Sequence, residues 1–453
     1  MPTSITRDLG RFVAGVRFKD LPPEAVRVAK LGMLDSIAVM IAARADGAPR
    51  RLLEALEPAA GDATVLFTPR RASPAEAALV NGTAAHAFDY DDVAMRGHPS
   101  CVLAPAILAE AEHLQASGTR MIAAYGAAYE VWAELVLRDP DPQHLRGWHL
   151  TGWIGAIAAA AACAALRGLP ADQAAMALAI AASQGSGLMA NSGTMTKPFH
   201  AGWAAHSGVI AARLAARGFT ASPDALEQST GWLRVVSSGG RVDLDAPVTA
   251  GRPWRIAELG IAIRRHPVCY VGHRLVDGAL AIAERTPLEA ADIADVRASL
   301  SGQAADILRF HRPTNGAQAK FSAEFGLAVA LLKGRITPAD LDDAFVQSPA
   351  IQSLMARVVV EARDPGAPDA AAEFDHVTIR TRDGTELHSG PVKAIIGSPE
   401  RPLDAEQLRA KFADCIAYGT QGAATPAFVA DFMTRLDTLE QLSDARELRA
   451  FAC

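Results

Sequence analysis

Apolar residues recur every three to four positions through most of the first 218 residues, which is the spacing of a buried helix face. One helix is predicted to begin at Pro22 or Pro23, because proline suits the first turn of a helix. Another is predicted after Ser73, which forms a capping box with Glu76. The same pattern predicts further helices at 101–117, 119–137, 154–167, 172–188 and 201–217.

The pattern changes near residue 263. Alternating apolar and polar positions predict strands at 293–300, 357–363, 374–380 and 385–387. Asp383-Gly384 separates the last two, which is a strong signal for a hairpin. Helices are expected between and after the strands, at 273–285, at 321–333, after Thr337, at 404–418 and at 425–450.

These elements predict a mainly α-helical protein with a smaller α+β domain inserted into a large all-helical domain. We place the first part of the helical domain at 1–262, the α+β domain at 263–396 and the C-terminal part of the helical domain at 397–453. The helices are rich in alanine, so we expect them to pack closely.

Composition narrows the classes of protein that fit. The chain has 453 residues, is 50% hydrophobic and carries a formal net charge of -6, which disfavours disorder and a nucleic-acid partner. Scattered cysteines predict no disulfide framework and a cytoplasmic location. They are Cys101, Cys163, Cys269, Cys415 and Cys453. No signal peptide is recognisable, and the apolar stretch 153–166 is too short to span a membrane, so no membrane partner is expected.

The first candidate for chemistry is His86-Ala-Phe-Asp89-Tyr-Asp91-Asp92, followed by Arg96-Gly-His98. Three carboxylates fall where a helix should end, although negative charge there opposes the helix dipole. A sequence often keeps such a conflict where function requires it. A solvated acidic turn, an acid–base set and a metal site are the alternatives; no zinc-binding motif such as HExxH is present.

Three further segments add imidazoles and cations. His149 lies in a glycine-flanked loop before an apolar helix, and Lys197 lies where a Gly/Ser/Thr loop leads into a helix, which suits an anion. Arg264 and Arg265 suit bidentate carboxylate recognition. A GxGxxA match at 185–190 follows no predicted strand and is not a dinucleotide site. The set fits proton abstraction next to a carboxylate, without cofactor or metal.

The chain resembles the MmgE/PrpD family in NGTAAHAFDYDD and GHPS, in RGWHLTG, in MTKPFHAGWAAHSG, in RRHPVCYVGH and in AKFSAEFGLAVALLKG. The resemblance implies a large helical domain, an α+β lid, a site in the cleft between them and a homodimer. It implies catalytic roles for Asp89, His98, His149 and Lys197. Substrate-binding positions are expected at Arg96, Arg264, Arg265, Cys269 and Phe325.

The resemblance also implies a reaction on a small di- or tricarboxylate, with 2-methylcitrate dehydration as the first expectation. Epimerisation of iminodisuccinate type, decarboxylation of cis-aconitate type and a non-catalytic binding protein of the same fold are the alternatives. The family's decarboxylase has lysine at Arg264 and histidine at Cys269. Both the decarboxylase and the dehydratase have tyrosine at Phe325.

Overall fold

The computed structural model describes residues 4–141, 146–363 and 374–451, so Cys453 lies outside the described residues. The first part of the chain is helical, apart from a two-stranded ribbon of β1 (Ala63–Thr64) and β2 (Arg71–Ala72). Its helices, in chain order, are α1 (Ile5–Gly15), α2 (Pro23–Ala42), α3 (Gly47–Leu56), α4 (Pro74–Ala85), α5 (Ser100–Leu114), α6 (Gly118–Leu137), α7 (Leu150–Arg167), α8 (Ala171–Ala182), α9 (Thr196–Ala215), α10 (Trp232–Val236) and α11 (Arg255–Leu259).

Small residues bring the central helices of this part together, as the alanine-rich composition predicts. A Cβ atom added to Gly82 on α4 would lie 2.8 Å from Cα of Gly202 on α9. One added to Gly208 on α9 would lie 2.3 Å from Cβ of Ala159 on α7. Real side chains do not tolerate such contacts, so glycine is required at these crossings. The close contact places the C-terminal end of α4 beside the first turn of α9.

The helix α7 begins at Leu150, earlier than predicted, and has 18 residues. Among the described residues, α7 is the one helix that is long and apolar enough to cross a membrane. The prediction that this segment is too short to do so was therefore wrong. Its most apolar window is 83% buried inside the protein, as in the core helix of many proteins, and is weak evidence for a membrane span.

Helix α8 ends at Ala182, six residues before the predicted end at 188. The chain then turns through Gly185 and Gly187, and Gly187 has φ of +126°, which favours glycine. The turn brings the Gly187 carbonyl to the backbone N–H of His149, at 3.1 Å. The segment therefore supports the loop before α7 instead of extending α8.

The next part mixes helices with a four-stranded sheet, as predicted. The sheet order is β4-β3-β5-β6; β3 pairs in parallel with β4 and antiparallel with β5, and β5 and β6 form the hairpin expected around Asp383-Gly384. The elements are α12 (His273–Arg285), β3 (Ile293–Leu300), α13 (Gly302–Ile307), α14 (Gly316–Ala319), α15 (Ala323–Lys333), α16 (Asp343–Val346), α17 (Pro349–Met355), β4 (Val358–Ala362), β5 (His376–Thr381) and β6 (Glu386–His388).

The C-terminal segment returns to helix as α18 (Ala405–Gly419) and α19 (Pro426–Asp437). The prediction of one continuous helix over 425–450 was wrong, because 3₁₀ turns at Leu439–Gln441 and Ala445–Phe451 follow α19. Helix α18 packs on α2 so closely that a Cβ atom on Gly419 would lie 1.9 Å from the Ile41 carbonyl oxygen. The mainly α-helical class is confirmed, and the domain boundaries at 262/263 and 396/397 stay predictions.

Candidate active site

The acidic segment after α4 forms a tight, buried turn. At the N-terminal end of α4, the predicted capping box is present, and Ser73 and Glu76 form reciprocal hydrogen bonds. Asp89 has φ of +52°, a left-handed conformation that is uncommon for residues other than glycine. Asp89, Asp91 and Asp92 are all buried, so a solvated acidic turn is excluded.

Two cations hold the carboxylate of Asp89. Lys197 Nζ donates to Oδ2 at 2.9 Å, and Arg264 pairs with Oδ1. Burial acts to raise the pKa of Asp89, but Lys197 and Arg264 outweigh it and hold that pKa well below the usual range. Asp89 is therefore ionised and a weak base in this arrangement, and its main effect is to place the two cations.

His86 connects the same lysine to a second carboxylate. Its Nδ1 lies 2.9 and 3.0 Å from the two oxygens of Asp91, and its Nε2 lies 2.9 Å from Lys197 Nζ. Burial acts to raise the pKa of Asp91, but His86 and Arg264 bring it below the usual range. An ionised Asp91 accepts the Nδ1 proton of His86, so Nε2 is left to accept from Lys197.

Three more histidine rings continue from His86. The rings of His98 and His149 lie 4.7 and 5.5 Å from the ring of His86, centroid to centroid. His149 Nδ1 lies 3.1 Å from Nδ1 of His200, so one of these two atoms donates and the other accepts. Among the described residues, the buried Nε2 of His149 has no hydrogen-bond partner.

The four imidazoles are neutral at neutral pH. Burial lowers the pKa of His86 although Asp91 acts to raise it, and burial, nearby cations and neighbouring rings lower those of His98 and His149 well below the usual value. Burial likewise lowers the pKa of His200 to about 4. A neutral imidazole can accept a proton at one ring nitrogen, so this group supplies proton acceptors next to fixed positive charge.

The part of the chain after 263 contributes to the same centre. Arg264 is fully buried and lies 2.6 Å, through one terminal nitrogen, from Nδ1 of His98. Lys320, also buried, donates to the Ala87 carbonyl in the acidic turn. Cys269 is partly buried, and its burial raises the pKa of its thiol to about 11, which keeps the thiol protonated.

The structure brings together Asp89, His98, His149, Lys197 and Arg264, but separates other residues that we expected in the site. Arg96 donates to backbone carbonyls beyond α6, those of Asp139, Pro140 and Asp141.

Arg265 is also outside this group. It lies 3.6 Å from Asp277 and is one-third exposed. Phe325 is fully buried at the start of α15 and offers no polar group.

Sequence reasoning did not single out His86, His200 or Lys320 as site residues. Each lies inside one of the sequence segments quoted above, so the structure adds these three residues to the candidate group from the same segments. The spacing of three residues between His86 and Asp89 could have indicated that His86 belongs to the site, because both residues directly follow the C-terminal end of α4.

Metal binding was the alternative for the three carboxylates. Asp89 and Asp91 already face cations, and burial, together with the neighbouring Asp91 and Asp35, raises the pKa of Asp92 well above the usual value. Ligand atoms of His86, His98 and His149 do lie within 4.8 Å of one another. However, the ammonium of Lys197 contacts Nε2 of His86, which disfavours a cation there.

Fold and site together define a mainly helical protein with a buried centre of imidazoles, carboxylates and cations, the groups that acid–base chemistry on an anion needs. The chain belongs to the MmgE/PrpD family. The family model of the MmgE/PrpD N-terminal domain matches residues 7–245, and that of the C-terminal domain matches residues 266–427.

Relatives with a described activity extend over most of the chain. A cis-aconitate decarboxylase of Mus musculus is 26% identical over 425 residues, covering 91% of this chain and 86% of the relative. One of Homo sapiens is 27% identical over 351 residues, covering 76% and 72%. One of Aspergillus terreus (strain NIH 2624 / FGSC A1156) is 26% identical over 438 residues, covering 89% and 86%.

Proposed function

We propose that this protein is a lyase or isomerase that removes a proton α to a carboxylate of a small di- or tricarboxylate, without a cofactor. The observation that carries the proposal is Nε2 of His149, buried and without a partner among the described residues, in a ring whose pKa the nearby Lys197 ammonium helps to lower. A buried polar atom without a partner is costly, and a functional role is one explanation for keeping it.

In the proposed reaction the substrate C–H bond breaks and its proton moves to Nε2 of His149. The electron pair moves towards the substrate carboxylate, where Lys197 and Arg264 stabilise the enolate-like charge. Loss of a β-hydroxyl group, which takes the proton now held on Nε2 of His149 and leaves as water, completes a dehydration and returns His149 to its neutral form. Return of a proton from solvent to the opposite face, while His149 releases its proton to solvent, completes an epimerisation instead.

Decarboxylation follows a different path, because a C–C bond breaks, carbon dioxide leaves and the carbanion takes a proton. The names of the relatives favour this reaction. Cys269 favours the α-proton reactions, because its thiol, with a pKa raised to about 11, does not replace the imidazole that the family's decarboxylase has at this position. We therefore place 2-methylcitrate-type dehydration first, with epimerisation and decarboxylation as alternatives.

Proton NMR in D2O with the purified protein tests the proposal. The panel is 2-methylcitrate, citrate, cis-aconitate, iminodisuccinate and malate- and tartrate-like acids. Deuterium incorporation, water loss or inversion on one of them is the expected result, and the product separates dehydratase from epimerase. Release of carbon dioxide from cis-aconitate without α-proton exchange would overturn the order of the reactions and retain the lyase class.

A non-catalytic binding protein of the same fold is the second candidate, favoured by the loss of a histidine and a tyrosine at Cys269 and Phe325. Thermal shifts with the same acids separate it from an enzyme. A polycarboxylate that raises the melting temperature but shows neither turnover nor deuterium exchange would support binding alone. Turnover that disappears in the variant His149→Gln would exclude it.

A further inference from the structure

Three buried cations from distant parts of the chain hold backbone carbonyls of the acidic turn. Each donates to a different carbonyl: Lys320 to Ala87, Arg264 to Asp89 and Lys411 to Tyr90. Carbonyls just beyond a helix C-terminus carry partial negative charge, so cations are favourable there. Two of these cations belong to or adjoin the group described above, whereas Lys411 does not.

Lys411 reaches the turn from α18, in the C-terminal segment. Its Nζ donates to the Tyr90 carbonyl at 2.8 Å and lies 4.1 Å from the centroid of the Tyr90 ring. It also lies 2.5 Å from Oδ1 of Asp35 on α2. The side chains of both Lys411 and Asp35 are almost completely buried, so this charge pair is shielded from water.

Tyr90 separates the residues whose geometry matters most in the turn. It follows Asp89, which is held in a left-handed conformation, and precedes Asp91, which holds the ring of His86. A left-handed non-glycine residue persists only when its surroundings fix it. The bond from Lys411 fixes the carbonyl directly after Asp89, and the Tyr90 hydroxyl donates to the Arg265 carbonyl at 3.2 Å.

We propose that Lys411, held by Asp35, is a positioning residue that fixes the Asp89 turn for catalysis. Without its ammonium, the buried Tyr90 carbonyl loses its donor and the turn relaxes. The carboxylates of Asp89 and Asp91 then no longer place Lys197 and His86 as described. The inference rests on the proposed function for its kinetic consequences, but its structural consequence is independent of any substrate.

The competing explanation is that Lys411 only joins α18 to α2. Removing one partner of a buried pair leaves an unpaired charge and destabilises the fold, whereas removing both avoids that penalty. The double variant Asp35→Asn/Lys411→Met therefore avoids the unpaired-charge penalty under either explanation. It does not restore the donor to the Tyr90 carbonyl, so only a positioning role predicts a lasting defect.

Lys30 provides the matched control. It lies on α2 and also joins this helix to the C-terminal segment, by pairing with Glu440 at 3.1 Å and donating to the Asp437 carbonyl at 2.6 Å. It is not among the cations that hold the turn. The variant Lys30→Met thus removes a partly exposed contact between the same two regions without changing the turn.

The experiment compares the wild type with Lys411→Met, Asp35→Asn/Lys411→Met and Lys30→Met. The readouts are melting temperature, the long-range proton–nitrogen NMR signals of the histidine rings, and kcat and KM on the panel acid that the wild type converts. Variants of His86 and His98 assign their ring signals. If Lys411→Met does not fold, the double variant carries the test.

A positioning role predicts that the ring signals of His86 and His98 move in both Lys411 variants and stay in place in Lys30→Met. It also predicts that kcat falls by about tenfold to a hundredfold in the double variant, with KM changed much less, because small displacements of reacting groups are costly. Unmoved ring signals, or recovery of both stability and kcat in the double variant, would overturn it. If the wild type converts no panel acid, the proposed function fails and the ring signals still decide this inference.

Discussion

Nζ of Lys197 lies 2.9 Å from Nε2 of His86, although 111 positions separate the two residues in the chain. The same nitrogen donates to Asp89 at 2.9 Å. An ammonium has three N–H groups, so one remains after these two contacts. We infer that this remaining donor binds a substrate carboxylate, and that His86 and Asp89 together fix its direction.

Replacing His149 with glutamine tests the proton acceptor. Glutamine keeps a polar side chain of similar length but does not transfer protons as an imidazole does. We expect kcat to fall by about 10²–10⁴, the usual contribution of one general base, with little change in melting temperature. The assay is turnover of the converted acid, followed by NMR.

The matched control for this variant is His113→Gln. His113 lies at the surface, where it contacts Asp62 at 2.8 Å and is one-third exposed, so its loss should leave kcat unchanged. Retention of most of the wild-type kcat by His149→Gln would show that another group takes the proton.

Replacing Asp89 with asparagine tests the charge balance of the site. The buried cations Lys197 and Arg264 would then have less negative charge near them to compensate their own. Breaking a buried ion pair by removing one partner costs about 3–5 kcal/mol, so we expect a loss near the lower value, because Asp91 stays within 3.7 Å of Arg264. Urea unfolding measures the free energy.

For comparison, Glu258→Gln removes an exposed ion pair with Arg255. Such surface pairs contribute about 0–1 kcal/mol, so this variant should unfold almost like the wild type. If Asp89→Asn were as stable as Glu258→Gln, the two cations would not depend on Asp89 for their compensation.

The buried histidines predict that stability falls as pH is lowered. Burial lowers the pKa of His200 to about 4 and that of His273 to about 3, whereas a solvated imidazole titrates near 6.5. Between about pH 6.5 and pH 4 the unfolded chain binds protons that the folded chain does not, so the free energy of unfolding decreases. Each such histidine contributes up to about 1.4 kcal/mol per pH unit.

Urea unfolding at several pH values between about pH 7 and pH 5 measures this slope. The variant His273→Asn should reduce the slope by about one proton, because it removes one buried imidazole, which lies next to the rings of His266 and Tyr270. A stability that is constant over this range would contradict the neutral, buried state of the histidines.

Chelation tests the remaining metal hypothesis. Lys197 contacts a ring nitrogen of His86 and a carboxylate oxygen of Asp89, so a cation at either atom would have to displace an ammonium. We expect dialysis against a chelator to leave turnover unchanged. Loss of turnover, restored by one particular divalent ion, would instead support a metal centre among His86, His98 and His149.

Much of the local structure followed from the sequence. The capping box at Ser73, the strands of the sheet and the Asp383-Gly384 hairpin depend on neighbouring residues, and the structure confirms them. The end of α8 and the 3₁₀ turns after α19 differed from the prediction. Alanine-rich periodicity does not mark helix ends, and tertiary contacts such as that of Gly187 with His149 decided them.

The sequence by itself determined which segments are candidates for chemistry, because carboxylates, imidazoles and lysines occur there between apolar helical stretches. Only the tertiary structure decided which of those side chains meet. His86 and Lys197 come together because glycines let α4 and α9 pack in close contact, and Arg96 turns away because backbone carbonyls beyond α6 bind it. Such contacts depend on the packing of distant segments, and no local pattern of residues encodes them.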